Sequence, residues 1–480
     1  MGRTGAVSVA LAASLLGGAC SSAGEGRPSS ALSSSPSSSS PTSGPVPSST
    51  TGPPGAASAP PTGEPATTQP LAVVVDAERR TRPPTRSVAR RMASGELTRW
   101  RGLRVVVARD PARADRVVGR VERGSPVVGL VPGEALSPTV RALAVGGADP
   151  VADPEAYPLR TDGEPPARVL SLVIGGDAML GRGVARAHPR DATTTLRPLR
   201  PVLAGADLSV VNLESTLSAD GPALQGGDSF AADPAVRGGL ADLGVDAVSL
   251  ANNHAGDFGA RALRRTLRLL DRGPVPGFGA GRDLTEAAEP LVLRRRGTSV
   301  GLVGFNAIGE TPRAAPGTPG ALSVRMPPRT GPLVEADLQR VERIVRRLAD
   351  RVDVVVVLPH WGTQYTHTPE PVQRRVARRL AGAGADLVVG GHPHWVQGFQ
   401  RIGDTLAVHS LGNLVFDMDF MEQTMEGVLL RATFWDGRLV AAEPIPYRMD
   451  AGFTARPLLG AAGGDVLADL WRSSGPPFGG

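Results

Sequence analysis

One pattern recurs four times along this chain and limits its fold more than any bulk property. The segments "ADLSVVNLE", "VDAVSLANNH", "VDVVVVLPH" and "ADLVVGGHPH" each open with an aspartate, at Asp207, Asp246, Asp353 and Asp386. Each then runs through apolar residues of buried-strand type and delivers polar groups six to eight residues later. Those groups are Glu214, then Asn253 and His254, then His360, then His392 and His394. A fifth run, "LSLVIGGD", ends in Asp177. Helical patterns separate the runs. "PLVEADLQRVERIVRRLAD" places Val334, Leu338, Val341, Val345 and Leu348 on one face, so it reads as an amphipathic helix. Strands alternating with helices predict an α/β fold.

In open α/β sheets, ligands gather beyond the carboxyl ends of the strands. The five strand ends therefore predict a shared site of two carboxylates, one amide and four imidazoles. Mixed oxygen and nitrogen donors suit a divalent metal such as Mn, Zn or Fe, as one or two ions. The sole cysteine, Cys20, lies far from these motifs, which argues against a thiolate site. Singly, each motif has an ordinary use: an Asp after a strand caps helices, and "HPH" makes a turn. It is their repetition at strand ends that points to metal. His392 and His394 lie two apart, so an extended backbone would aim both to one side, and Gly390 and Gly391 would let the backbone approach closely. Asp257, three residues after His254, is placed to orient that imidazole. Arg182, after the first strand end, is a candidate for holding an anionic group, and Asn413 in "SLGN" for lining the pocket.

The motifs "GGDAMLGR", "NLES", "ANNHAGDFG", "PHWGTQY", "GGHPHWVQGF" and "HSLGNLVFD" occur in the order found in the CapA family, which this chain resembles. That family is associated with capsule and poly-γ-glutamate synthesis and is similar in fold to calcineurin-like metallophosphoesterases. The resemblance implies a four-layer α/β/β/α sandwich with two metals bridged by a carboxylate. It implies Asp177 as first-strand ligand, Glu214 in the bridging place and Asn253 as a second-site ligand. His360, His392 and His394 would be the imidazole ligands. His254 would be the general acid, with Asp257 beside it. Two departures stand out. The phosphoesterases' Asp-x-His is Asp177-Ala178-Met179 here, one imidazole fewer, and the family's "HWGxEY" glutamate is Gln364.

Ahead of this region the chain changes character. "MGRTGAVSVALAASLLGGAC" has a basic start, a short apolar stretch and small residues, as in a secretory signal. It resembles a bacterial lipoprotein signal with Cys20 as the lipidated residue, so residues 1–20 are expected to be a signal peptide. The protein is then expected on the extracellular face of the cytoplasmic membrane through a lipid anchor, or alternatively secreted. Residues 21–70 are Ser, Pro, Thr, Gly and Ala and are expected to be a disordered linker. Residues 71–163 read as a small α/β domain resembling part of a periplasmic phosphate-binding protein. Residues 167–450 form the CapA-type metallophosphatase-like domain. Residues 451–480 are a tail, loose at "FGG".

The net charge is +6 and every basic residue is arginine, a usage that GC-rich coding explains; no nucleic-acid module is present, and nucleic acid is not expected as a partner. Two functions stay open. One is a metal-dependent hydrolase acting on a phosphoester or an anionic surface polymer. The other is a non-catalytic accessory protein for polymer synthesis, export or anchoring, working within a polymer-synthesis complex.

Overall fold

The computed structural model describes residues 67–479. The signal, linker and Cys20 expectations lie outside these residues. The fold is mixed α/β with several sheets. The N-terminal sheet runs in the order Arg99–Trp100, Leu103–Val107, Val127–Pro132, Thr68–Asp76, Val140–Leu143, with Arg160–Asp162 also paired to Thr68–Asp76. Alternate residues of Thr68–Asp76 face opposite ways, as strand geometry requires. Val73 and Val75 pack with Ala89 and Met92 of helix Arg86–Ala93, while Ala72 and Val74 pack with Val117 and Val121 of helix Pro111–Glu122. Trp435 joins that second cluster, and its indole N–H donates to Val151 O at 2.9 Å.

Two larger sheets follow. One orders Gly277–Phe278, Ala247–Ser249, Leu208–Leu213, Val169–Ala178, Glu426–Trp435, Arg438–Met449 and Ala455–Pro457, with Asn413–Val415 also paired to Val169–Ala178. The other orders Leu291–Arg295, Thr298–Asn306, Val354–His360, Leu387–Val389, Thr405–Leu411 and Val396–Ile402. Leu170, Leu172 and Ile174 share a core with Val354, Val356 and Leu387, whereas Val173 faces Leu196, Leu263 and Leu267. Val355 and Val357 meet Leu338, Val341 and Val345 of helix Glu335–Ala349, whose buried stripe is the one its periodicity predicts. Each fully buried side chain of this kind stabilises by roughly 1.5–3 kcal/mol.

The recurring aspartates prove to be strand clasps. The Asp207, Asp246, Asp353 and Asp386 carboxylates accept backbone N–H groups of Ser171, Ser209, Ser299 and Val355 at 2.8, 2.9, 2.7 and 2.7 Å. Each aspartate's own N–H donates back to the same residue's carbonyl. A two-way bond at the start of each strand fixes its register on its parallel neighbour. Register then sets the other ends level: Asp177 pairs with Asn212, and Asn212 with Ser249.

The tail expectation needs correction. Residues Gly464–Arg472 form a helix, and Phe478 is buried between Phe399 and Trp471, with ring centroids 5.4 and 5.8 Å away. Three aromatic rings hold down an end whose glycines suggested looseness.

Candidate metal centre

Asp177, Glu214, Asn253, His254, Asp257, His360, His392 and His394 are all buried and sit where the strand ends of both sheets meet. Asp177 is the hub. Its Oδ1 accepts from Asn212 Nδ2 at 2.8 Å and its Oδ2 from the His392 backbone N–H at 2.9 Å. His360 Nδ1 and His394 Nδ1 each stand 3.9 Å from it. Gly391 makes the approach possible, since a Cβ there would lie 2.5 Å from Asp177 Oδ1. Burial pushes the Asp177 carboxyl up to about 6, against the pull of its N–H donors.

Glu214 follows the second strand and is fully buried. Its Oε1 has no hydrogen-bond partner among the described residues, although His254 Nε2 and His360 Nε2 both lie 3.7 Å away. Burial first, then the charges of Asp177 and Asp257, drive its carboxyl well above the usual range. Asp177, Glu214 and His360 offer ligand atoms all within 4.8 Å of one another. His360 Nε2 contacts Asn253 Oδ1 at 2.8 Å. Burial holds His360 and His392 well below the ordinary histidine value and lowers His394 to about 4, so these rings are neutral and keep lone pairs.

The backbone at "HPH" corrects the extended reading. His392 and His394 have φ of +96° and +59°, a region non-glycine residues rarely occupy. His392 donates its amide to Asp177, while neither ring nitrogen has a partner among the described residues. His394 Nδ1 meets Asn413 Oδ1 at 2.8 Å, and the Asn413 amide N–H is committed to Thr424 O at 2.8 Å. That fixes oxygen toward the ring, so Nδ1 carries the proton and Nε2 is the free donor atom. Asn413 thus orients an imidazole.

His254 stands on Asp257. Its Nδ1 lies 2.9 Å from Asp257 Oδ2, which also accepts the Phe230 N–H at 2.7 Å. The Phe230 ring stacks on the imidazole at 3.9 Å with an interplanar angle of 21°. Arg182 covers the other end of this stack, 4.3 Å from the Phe230 centroid. Its guanidinium is bound to both Asp417 oxygens, and to Asp228 and Gly227 O at 3.2 Å. Met179 turns away from the site: it lies in the apolar cluster with Leu196 and Phe416, and its sulfur accepts the Gly181 N–H at 3.1 Å.

Sequence reasoning missed Asn212, Asn252, Gln225 and Phe230. Asn212 bridges the carboxylates, reaching Asp177 at 2.8 Å and Glu214 Oε2 at 3.4 Å. Asn252 donates to Asn212 Oδ1 and accepts the His254 N–H, at 2.9 and 3.0 Å. Gln225 donates to Asn253 O at 3.1 Å and to Asp257. The period of two back from Glu214 is a signal that finds Asn212 on the same strand face. Nothing local marks Phe230 or Gln225.

The donor set fits a divalent cation. A buried carboxylate oxygen and two buried imidazole nitrogens without partners are costly unless a ligand satisfies them.

Residues 171–418, slightly over half of the chain, match the family model described as bacterial capsule synthesis protein PGA_cap. The chain belongs to that family. It is 28% identical to the capsule biosynthesis protein CapA of Bacillus anthracis, over 59% of this chain and 68% of the relative. It is likewise 28% identical to the PGA biosynthesis protein CapA of Bacillus subtilis (strain 168), over 52% of this chain and 64% of the relative. The chain thus spans about two thirds of the length of these relatives. Among solved structures, a hypothetical protein from Thermus thermophilus aligns at 19% identity and TM-score 0.37, covering 58% of this chain and 99% of that one; nothing is built on so low a score.

Proposed function

We propose that this chain is a metal-dependent hydrolase of phosphoesterase type, acting on a phosphoester or an anionic surface polymer in capsule or poly-γ-glutamate synthesis. The names of its Bacillus relatives support the setting. The chemistry rests on one observation: Glu214 Oε1 is buried without a hydrogen bond, within 3.7 Å of two imidazoles and beside the partnerless ring of His392. A bound Mn, Zn or Fe ion would supply Lewis acidity and lower the pKa of its water. Asp177, Glu214, Asn253, His360, His392 and His394 would hold one or two such ions.

The chain's own residues supply the rest. Asp257 fixes the His254 proton on Nδ1, leaving Nε2 to take up and give a proton at a leaving-group oxygen. Phe230 closes one face of that ring to water. Arg182, saturated by Asp417 and Asp228, braces Phe230 and does not hold substrate. The proposal includes the four-layer α/β/β/α arrangement, in which the two larger sheets stack between helices. It also includes a lipid anchor at Cys20 that keeps the protein outside the cytoplasmic membrane. Cys20→Ala is then expected to release it into the soluble fraction; retention on membranes counts against the anchor.

A second reading, polymer binding without turnover, is favoured by Gln364, which puts an amide where the resembled family has a carboxylate. The deciding experiment is hydrolysis of an artificial phosphodiester and of a γ-glutamyl peptide by the full chain, with and without added Mn, Zn or Fe. Metal-dependent turnover lost in His254→Ala supports the hydrolase. Intact metal binding with no turnover on either substrate favours the accessory role.

A further inference from the structure

We propose that one corner of the N-terminal α/β piece is a docking surface for a linear polyanion, carrying carboxylates or phosphates, separate from the metal centre. Residues 79–123 hold fourteen arginines and four acids, a net of +10. The whole chain carries +6, so all its other residues together carry −4. The basic excess is therefore local. All fourteen arginines are exposed.

Elsewhere the arginines are commonly ion-paired, as Arg265 is with Asp220, Arg313 and Arg325 with Asp337, and Arg379 with Glu335 and Glu342. Of the fourteen, only Arg91 meets a carboxylate among the described residues, Glu96 at 2.8 Å. The densest group lies on the edge hairpin. Arg99 and Arg104 face each other as cross-strand partners, a like-charge pairing that weakens a sheet. Arg101 sits at the turn between them with φ of +49°, over the Trp100 ring at 5.3 Å. The Arg104 N–H donates to Pro126 O at 2.9 Å, which brings this end against the turn that follows Arg120 and Arg123. The acid between those two arginines is committed elsewhere: Glu122 accepts from Thr139 at 2.8 Å and Arg401 at 3.0 Å.

Five guanidiniums without carboxylate partners on an exposed edge fit an extended anion better than a small one, because repeated contacts along a polymer add up. Guanidinium suits carboxylate and phosphate alike. The surface lacks the anchors that other partners use. The large exposed apolar residues Leu224, Val292, Phe420, Met421 and Leu459 all lie elsewhere, so among the described residues nothing here inserts into a bilayer. Trp100, at 9% exposure beneath Arg101, gives no platform for stacking bases. This reasoning rests on charge and packing, and stands whether or not the metal site turns over substrate.

The test measures binding of labelled poly-glutamate, and in parallel of inorganic polyphosphate, to the full chain at rising salt. The combined variant Arg99→Gln, Arg101→Gln, Arg104→Gln, Arg120→Gln and Arg123→Gln is expected to lose at least about tenfold in affinity, and its salt slope to become shallower by about 3–5. Loss with either probe supports the surface and says which anion it takes. Arg375→Gln with Arg378→Gln, on another exposed helix face, is expected to change nothing. His254→Ala is expected to bind normally, which keeps this result distinct from failure of the hydrolase reading. Arg104→Gln alone is expected to raise the melting temperature by relieving repulsion from Arg99, showing that lost binding is not lost folding. Unchanged affinity of the combined variant overturns the proposal. So does binding confined to vesicles of anionic phosphatidylglycerol, which would make this a membrane contact.

Discussion

The Asp177 carboxylate accepts the backbone N–H of His392 at 2.9 Å, across 215 residues of sequence. That bond ties the end of one sheet's central strand to the loop carrying two imidazoles, so the two sheets cannot slide without dismantling the centre. Asp177→Asn keeps an acceptor for the amide but loses the charge. Folding is expected to survive by circular dichroism, with metal content falling at least tenfold. Gly391→Ala puts a methyl 2.5 Å from the Asp177 oxygen and is expected to break both fold and binding, read by melting temperature and metal content together.

Asn413 sets the His394 tautomer through its 2.8 Å contact. Outer partners of this kind are worth roughly 10- to 100-fold in metal affinity. Asn413→Ala is expected to weaken binding within that range, measured by competition with a chelator. An unchanged affinity would show that the ring is held by packing against Tyr365 and Phe416 alone.

Phe230 acts through His254, stacking on its ring while its N–H holds Asp257. Phe230→Leu keeps the N–H and loses the stack, a contact of about 1 kcal/mol. Turnover is expected to fall about five- to tenfold with metal content unchanged, and the acid limb of the pH profile to shift. An unmoved profile would reduce Phe230 to a packing residue.

The clasps respond to pH with opposite signs. The Ser299 hydroxyl and N–H, and then Arg168, hold the Asp353 carboxyl down to about 2 from 3.8. A depressed value means that its stabilisation is complete above pH 3.8 and is lost as the pH falls through about 2. Asp353→Asn is expected to cost about 1 kcal/mol at neutral pH after allowing for solvent screening. Asp386 makes the same clasp, but burial raises it from 3.8 to about 6. A raised value means that ionisation opposes folding, so its contribution falls as the pH rises from 3.8 through about 6. Asp386→Asn is expected to be neutral or stabilising above about pH 6. Urea unfolding of both variants from acid to neutral pH separates the two signs.

The strand ends were legible because parallel strands announce themselves as apolar runs and deliver function where they stop. Asp177, Glu214, His360 and the "HPH" histidines followed directly. The aspartates at the starts were visible as a repeat, but their role was not, because a clasp is a bond to a neighbouring strand that no local pattern encodes. Asn212 hid inside a run read as strand interior, although its spacing from Glu214 places both on one face. Phe230 and Gln225 arrive from a loop of "LQGGDSF" that only tertiary packing brings beneath His254. The positive φ at His392 and His394 also escaped, since two histidines in sequence carry no sign of a left-handed turn. Phe478 was misjudged because its glycines spoke for looseness while its partners Phe399 and Trp471 lay elsewhere in the chain.

The central claim is that the buried, partnerless Glu214 oxygen belongs to a cation. Elemental analysis of the purified full chain tests it most directly, alongside Glu214→Gln. The account predicts one or two equivalents of Mn, Zn or Fe in the parent and at least a tenfold loss in the variant, with folding retained. A parent that stays metal-free after incubation with each ion would contradict it.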